Sequence, residues 1–330
     1  MIAFGIVLGG VLAGSTATAS GSGPTMDATK ETFKVFLLAG QSNMEGHAVV
    51  DLDHPEHYNG GRGNLEHVLD SKPDFAHRFK LRDQKAEWVV REDVWCWYRP
   101  GRGPLKAGPL SIGFAVYEGD HHFGPELGIG RVLGDSIDSP VLLIKAAWGG
   151  RSLQVDFRPP SREGVTGPFY QRMLREYREG VADARGRFPQ LEGLEPEPAG
   201  FIWFQGWNDM IDQEATEEYP ANLEALAADV RAALRSPKLP IVVGETGNAG
   251  NSTFRRRQAE GAARIPAPAA FVRTRSFLRK PEDSPNRGHG HHWFGNAESC
   301  ALVGEALGLA MRDLLETSGV GEGSQDRSDS

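Results

Sequence analysis

Five short, continuous apolar runs constrain the fold of this chain more than any other feature. Each run lacks the alternation of apolar and polar residues, which is typical of strands that are covered by helices on both faces. Helix-like stretches separate the runs, so we predict a three-layer α/β/α sandwich with a parallel five-stranded sheet and right-handed crossovers. The runs are 34–39, 140–146, 201–204, 240–243 and 270–274.

Four of the intervening stretches have helical features. Pro125 is suited to the first turn of a helix, and a second helix is predicted over 169–187. The stretch 219–235 carries leucine or valine at every third or fourth position, which gives one apolar stripe. Asn296 is a good N-cap for a last helix over 296–315.

Length predicts one large domain, because the 330 residues can bury a sizeable core. We place it at 33–316, after a polar linker at 20–32 and before a disordered tail at 317–330. The stretch at about 45–122 is too long for an ordinary loop. We interpret it as an insertion that forms one wall of the site. The alternative is a small β-rich addition that only adds stability.

The N-terminus has the pattern of a signal peptide at 1–19. An apolar run at 2–13 precedes Ala17-Thr18-Ala19, so we predict cleavage after Ala19 and export to the periplasm or the outside of the cell. The run is shorter than the ~20 residues of a membrane-spanning helix, and no stable membrane association is expected. Because the leader lacks Lys and Arg, an uncleaved anchor or a poorly ordered N-terminus is the alternative.

Charge and cysteine content limit the partners. The net charge is -8, from 44 acidic and 36 basic side chains, which argues against a nucleic-acid partner and is compatible with neutral or sugar-like substrates. Export would permit a disulfide between Cys96 and Cys300. A buried free thiol is the commoner outcome for Cys300, and the sequence leaves the pairing open.

A polar turn follows the first apolar run. Gly40-Gln41-Ser42-Asn43-Met44 places the Ser42 hydroxyl at the carboxyl end of a strand, where open α/β folds build their sites. A neighbouring base would make Ser42 a nucleophile. Taken alone, these residue types are also those of a simple turn.

Two further loops carry groups that suit an oxyanion hole. Trp148-Gly149-Gly150 follows the second run, and Gly206-Trp207-Asn208-Asp209 follows the third. The backbone N–H groups of Ser42 and Gly149 and the amide of Asn208 could stabilise a developing negative charge. Turn and capping roles are the alternatives for Gly149 and Asn208.

A histidine near the C-terminus supplies a base. His292 stands just before the last predicted helix, and an imidazole has the near-neutral pKa that proton transfer needs. His289 and His291 lie beside it, so a metal site is the alternative. A glycine-rich solvated loop is a third interpretation.

The order of serine, Gly-x-Asn-Asp and a late histidine resembles the SGNH hydrolases, and most of all their carbohydrate O-acetylesterase branch, which includes sialate O-acetylesterases and acetylxylan esterases. The resemblance implies a flavodoxin-like sandwich and a serine esterase that uses no cofactor and no metal. One position departs from the family. SGNH enzymes usually have an aspartate three residues before the histidine, where this chain has His289. We expect Asp283 to orient His292, with Glu282 or a backbone carbonyl as alternatives.

The resemblance also implies an acetylated carbohydrate substrate, such as acetylxylan, another polysaccharide or a sialic acid. We expect Gln41, Gln205, Trp148 and Arg151 to bind it. The alternatives are loop bracing for Gln41 and Gln205, core packing for Trp148 and a salt bridge for Arg151. Two other functions stay open: an esterase that acts on non-carbohydrate esters, and a carbohydrate-binding protein without catalysis.

Overall fold

A computed structural model describes residues 31–246 and 251–318. Its centre is a seven-stranded sheet in which every neighbouring pair is parallel except the pair at one edge. In spatial order the strands are β4 (Lys106–Pro109), β3 (Val94–Tyr98), β6 (Val141–Ala147), β1 (Thr32–Gly40), β7 (Glu195–Phe204), β8 (Ile241–Gly244) and β9 (Ala269–Val272). A separate antiparallel pair consists of β2 (Ala48–Val49) and β5 (His122–Phe123).

Helices cover both faces of the sheet. The helices are α1 (Ser42–Glu45), α2 (Leu65–Ser71), α3 (Pro73–Phe79), α4 (Glu126–Ser136), α5 (Pro168–Arg187), α6 (Trp207–Met210), α7 (Gln213–Ala233), α8 (Ser252–Arg264) and α9 (Ala297–Thr317). One apolar cluster packs α5, α7 and α8 against the sheet, and a second packs α2, α3, α4 and α9 against the other face. The three-layer α/β/α prediction is therefore confirmed.

The central strand explains why the apolar runs are continuous. In β1, Val35 and Leu37 belong to one core cluster, whereas Phe36 and Leu38 belong to the other. All four side chains are fully buried. Because both faces of the strand pack against helices here, these positions favour apolar side chains.

The predicted count of five strands was too low. The five predicted runs form β1, β6, β7, β8 and β9, but β3 and β4 come from the stretch 45–122 that we interpreted as an insertion. Residues Val94–Tyr98 are all buried, and β3 pairs in parallel with β6. This part of the stretch is therefore integral to the central sheet.

Some predictions fall outside the described residues. The signal peptide at 1–19, most of the linker at 20–32 and residues 319–330 of the predicted tail lie there. Within the described ranges, no helix is long and apolar enough to cross a membrane. Cys96 and Cys300 are both free thiols, and burial raises the pKa of each.

Candidate active site

Three neighbouring strands end at one point. β1 lies between β6 and β7, and backbone hydrogen bonds extend both pairings beyond the strands. The Trp148 N–H donates to the carbonyl oxygen of Gly40 at 3.2 Å, and the Gln41 N–H donates to that of Phe204 at 3.4 Å. The loops that follow the three strands therefore meet at the carboxyl edge of the sheet.

The half-buried Ser42 is the first residue of α1, directly after β1. The turn depends on Gly40, because a Cβ atom there would lie only 2.1 Å from the carbonyl oxygen of Phe204. The close approach of the β7 backbone thus requires glycine and fixes where the chain leaves β1.

Gly149 lies against the serine. It is exposed at the end of β6, and a Cβ atom at this position would lie 3.5 Å from the Cβ of Ser42. The same atom would lie 3.0 Å from Oε2 of Glu45. The lack of a side chain therefore lets the Gly149 backbone reach the serine turn.

Asn208 is held in one orientation by Gln41. The Gln41 Nε2 donates to Asn208 Oδ1 at 3.1 Å, and Gln41 Oε1 accepts from the backbone N–H groups of Gly206 and Asn208. The Asn208 amide nitrogen has no partner among the described residues, so it can donate to a ligand. Gln41 itself is only 1% exposed. We predicted that Gln41 binds substrate, but its side chain braces the loops instead.

Gln205 is also internal, contrary to the predicted substrate contact. It is fully buried, and its Nε2 donates to Asp209 Oδ2 at 2.6 Å while its Oε1 accepts from the Tyr219 hydroxyl. Asp209 accepts further bonds from the backbone N–H groups of Leu153 and Gln154. Burial raises the pKa of Asp209 to about 6. This network ties the loop after β6 to the loop after β7.

Trp148 and Arg151 are engaged with the protein as well. Trp148 is 3% exposed, packs on Phe157 and has the Arg172 guanidinium over its ring at 4.4 Å. Trp148 is a core residue, and its ring is not accessible for stacking with a sugar. The Arg151 guanidinium forms a salt bridge with Asp156 at 3.2 Å.

His292 lies beside the serine turn. Its half-buried ring stacks on that of His47, with centroids 3.7 Å apart and planes inclined by 14°. His47 Nδ1 is 2.9 Å from the Tyr117 hydroxyl. Both imidazoles line a small cavity of about 20 Å³ together with Asn43, the residue after Ser42. Within the described ranges no hydrogen bond joins the Ser42 hydroxyl to an imidazole, and in free enzymes such bonds are often long.

Both stacked imidazoles are neutral near pH 7. Burial, followed by repulsion from His291 and His289, lowers the pKa of His292 to about 4. Burial lowers the pKa of His47 to about 2, with a smaller contribution from His292. An unprotonated nitrogen is therefore available on each ring across the neutral pH range.

The structure does not place Asp283 against His292. Asp283 is exposed in a short 3-10 turn, Pro281–Asp283, and its backbone carbonyl accepts from Asn296 Nδ2 at 3.1 Å. Its carboxylate has no hydrogen bond among the described residues. Glu282 in the same turn is exposed as well. The prediction is corrected, because backbone contacts with the start of α9 fix this turn while the acidic side chains face solvent.

Comparison with known proteins identifies the family of the chain. The sequence model of a family described as carbohydrate esterase, sialic acid-specific acetylesterase matches residues 32–301. The chain belongs to this family. No curated protein sequence matches it.

Solved structures similar to this chain have low sequence identity to it, and the first of those below shares its fold. A protein from Arabidopsis thaliana has 16% identity and a TM-score of 0.55, and the match covers 86% of this chain and 98% of that one. A carbohydrate acetylesterase from Xanthomonas citri has 15% identity and a TM-score of 0.48, with 86% and 56% covered. A carbohydrate esterase family 2 enzyme from Corynascus thermopiles has 13% identity and a TM-score of 0.43, with 88% and 68% covered.

Three histidines lie close together in the loop before α9. The ring centroids of His289, His291 and His292 are 4.1 to 6.4 Å apart. Across residues 31–246 and 251–318, no group of three or more His, Cys, Asp or Glu side chains is placed to hold a metal ion.

A buried charge network under the serine turn escaped the sequence analysis. Lys145 in β6 is fully buried and donates to the backbone carbonyl of Glu45 at 2.8 Å and to the Glu126 carboxylate at 2.7 Å. The Tyr98 hydroxyl donates to the Glu45 carboxylate at 3.3 Å, and burial raises the pKa of Glu45. A lysine inside an apolar run was the available signal, because such a charge needs a buried partner.

Proposed function

We propose that this chain is a serine esterase that removes O-acetyl groups from carbohydrates through an acetyl-enzyme intermediate. The observation that carries the proposal is the convergence of Ser42, Gly149 and Asn208 at the ends of three adjacent parallel strands. Family membership supports an acetylated carbohydrate as the substrate class.

In this mechanism the Ser42 hydroxyl oxygen attacks the acetyl carbonyl carbon, and His292 takes the hydroxyl proton. The oxyanion accepts hydrogen bonds from the N–H groups of Ser42 and Gly149 and from the Asn208 amide. When the tetrahedral intermediate collapses, His292 returns the proton to the departing sugar oxygen. His292 then deprotonates a water molecule, which attacks the acetyl carbonyl carbon on Ser42. The bond between this carbon and the Ser42 oxygen breaks, His292 returns the proton to the Ser42 oxygen, and acetate leaves.

The ring of His292 needs a fixed orientation in this scheme. We assign that task to the stack on His47, since the acidic residues Glu282 and Asp283 both face solvent. Tyr117 in turn fixes His47 through the hydroxyl contact at 2.9 Å.

A serine-directed organophosphonate probe tests this assignment, because it reacts with an activated hydroxyl. Peptide mass spectrometry should find the adduct on Ser42, weaker labelling in His292→Ala and none in Ser42→Ala. Ser111, whose hydroxyl donates to the Val89 carbonyl, serves as an internal unlabelled control. An adduct on another serine would contradict the proposal.

A carbohydrate-binding protein without turnover is a second candidate. One observation favours it: no carboxylate hydrogen-bonds to His292 within the described residues. Sugar binding by a protein that the organophosphonate probe does not label would support this candidate.

A further inference from the structure

A polar cleft lies beside the loop that carries His292. It has a volume of about 320 Å³, within the range of small-molecule sites, and it lies between the segments 55–59 and 285–289. The segment 285–289 leads directly into the turn Gly290–Gly295, which carries His292. The His292 N–H donates to the His289 carbonyl, and the centroids of these two rings are 6.4 Å apart.

The walls of the cleft are held by hydrogen bonds and do not need a ligand to form. Asn59 Nδ2 donates to the backbone carbonyls of Glu282 at 3.0 Å and of Ser284 at 2.9 Å, which joins the two segments. The Asn286 N–H donates to the carbonyl of Phe294 at 2.8 Å, which anchors the second wall to the loop of His292. A preformed cleft loses little entropy when it binds a ligand.

The cleft presents polar side chains that the protein itself does not satisfy. Among the described residues, the carboxylate of Glu56 and the imidazoles of His57 and His289 have no hydrogen-bond partner. The His57 ring stacks on that of His54 with centroids 4.6 Å apart. Such groups supply both donors and acceptors, as the hydroxyls of a sugar require.

The charges in the cleft favour a neutral ligand. Glu56 and Arg287 both line it, so an acidic and a basic side chain offset each other. The Arg287 guanidinium also donates to the side-chain oxygen of Asn59, so one of its five N–H groups is already used within the protein. A uronic or sialic acid would in addition approach the Glu56 carboxylate, which repels it.

We propose that this cleft binds a neutral sugar unit next to the acetylated one. The esterase would then prefer acetylated oligosaccharides or polysaccharides to acetylated monosaccharides. This inference rests on the proposed function, since the sugar in the cleft matters for catalysis only if acetate is released at Ser42.

Binding tests the cleft without turnover. Calorimetry would measure the Kd of xylo-, manno- and gluco-tetraose and of N-acetylneuraminic acid for the parent, His57→Ala and the control His77→Ala, which lies on the exposed side of α3. We expect at least one neutral tetraose to bind, about tenfold more weakly to His57→Ala and unchanged to His77→Ala. The proposal fails if no neutral tetraose binds, if His57→Ala binds like the parent, or if only N-acetylneuraminic acid binds.

Acetate release then links the cleft to catalysis. For the tetrasaccharide that binds, kcat/KM on its acetylated form should fall about tenfold in His57→Ala, while kcat/KM on the acetylated monosaccharide falls clearly less. An equal loss on both substrates would overturn the proposal. If no substrate releases acetate from the parent, the proposed function fails, and the binding result still decides whether the cleft accepts a neutral sugar.

Discussion

At the scale of single residues, the orientation of Asn208 is the most informative detail of the site. Its side-chain oxygen accepts from Gln41, so its amide nitrogen is the end that can donate to a developing oxyanion. We predict that Asn208→Ala lowers kcat about 10²–10³-fold with little change in KM, because the bond forms only in the transition state. Steady-state kinetics on an acetylated sugar would measure this.

The control for that experiment is thermal unfolding of the same variant. Asn208 is half-buried, and among the described residues its side chain hydrogen-bonds only with Gln41, so the melting temperature should stay close to that of the parent. A parent-like kcat in a folded Asn208→Ala protein would exclude the amide from the oxyanion hole.

The stack of His47 on His292 gives a second prediction. His47→Ala removes the ring that stacks on His292. His292 should then reorient, and kcat should fall by about 10²-fold with KM unchanged. His47→Phe keeps a flat ring against His292 and should retain most of the activity. The two variants differ chiefly in the stack, so an equal loss in both would refute an orienting role for it.

The pH dependence of catalysis should follow the protonation of His292. His292 must be unprotonated to act as a base, and its pKa is lowered to about 4 by burial and by His291 and His289. The acid limb of kcat/KM should therefore lie near pH 4, and not near the usual imidazole value of about 6.5. A pH profile from 3.5 to 8 measures it. An acid limb at pH 6.5 would mean that the base is a different or a more exposed group.

Residue roles were predicted unevenly from the sequence. Ser42, Gly149 and Asn208 could be placed because each follows an apolar run, and parallel strands end at one edge of a sheet. The roles of Gln41 and Gln205 could not, because the partner of a polar side chain depends on residues distant in the chain. Gln41 bonds across 167 positions to Asn208, and no local pattern carries that information.

At the scale of elements, the strands differed in how well the sequence revealed them. β1 and β6 are long apolar runs and were predicted. β3 is longer than β8 and β9 and consists of strand-favouring residues, so its sequence did carry a strand signal. It was missed because we assigned its tryptophans to an insertion beside the site. β4 contains lysine, glycine and proline, and its edge position tolerates them.

The N-terminus of α9 contributes both to the stability of the protein and to the position of the loop that carries His292. Asn296 accepts from the Ser299 N–H as an N-cap, and its Nδ2 donates to the Asp283 carbonyl and to the Ser284 hydroxyl oxygen. We predict that Asn296→Ala lowers the free energy of unfolding by about 1–2 kcal/mol and also lowers kcat. Denaturant unfolding and kinetics on the same samples would measure both effects.

An N-cap substitution in another helix serves as a control that separates the loss of stability from the loss of kcat. Asp212 caps α7 by accepting from the Ala215 N–H, and within the described ranges it has no hydrogen bond to the loop of His292. Asp212→Ala should cost about 1 kcal/mol of stability and leave kcat unchanged. If Asn296→Ala behaves in the same way, α9 does not position the catalytic loop.

At the scale of the whole molecule, buried histidines predict sensitivity to acid. Burial lowers the pKa of His47 to about 2 and the pKa values of His122 and His292 to about 4 each. In the unfolded chain these groups titrate near 6.5, so below that pH the unfolded chain binds more protons than the folded one. The free energy of unfolding should be highest above pH 6.5 and should fall steadily toward pH 4.

A substitution of one buried histidine separates the pH dependence of stability that histidines cause from the pH dependence that carboxylates cause. His122 is 8% exposed, and its Nδ1 has no hydrogen bond within the part of the chain that the structure describes. His122→Phe removes one of the three groups, so its unfolding free energy should depend less steeply on pH between 6.5 and 4.5 than that of the parent. Identical slopes, measured by urea unfolding at several pH values, would contradict the assignment of a low pKa to His122.

The central claim is that Ser42 carries the reaction, and acetate release tests it most directly. The parent protein and Ser42→Ala would be compared on acetylated xylan and on a small aryl acetate. The account predicts that the parent releases acetate and that Ser42→Ala loses nearly all of this activity while it unfolds at the same temperature. Equal acetate release by both proteins would show that Ser42 is not the nucleophile.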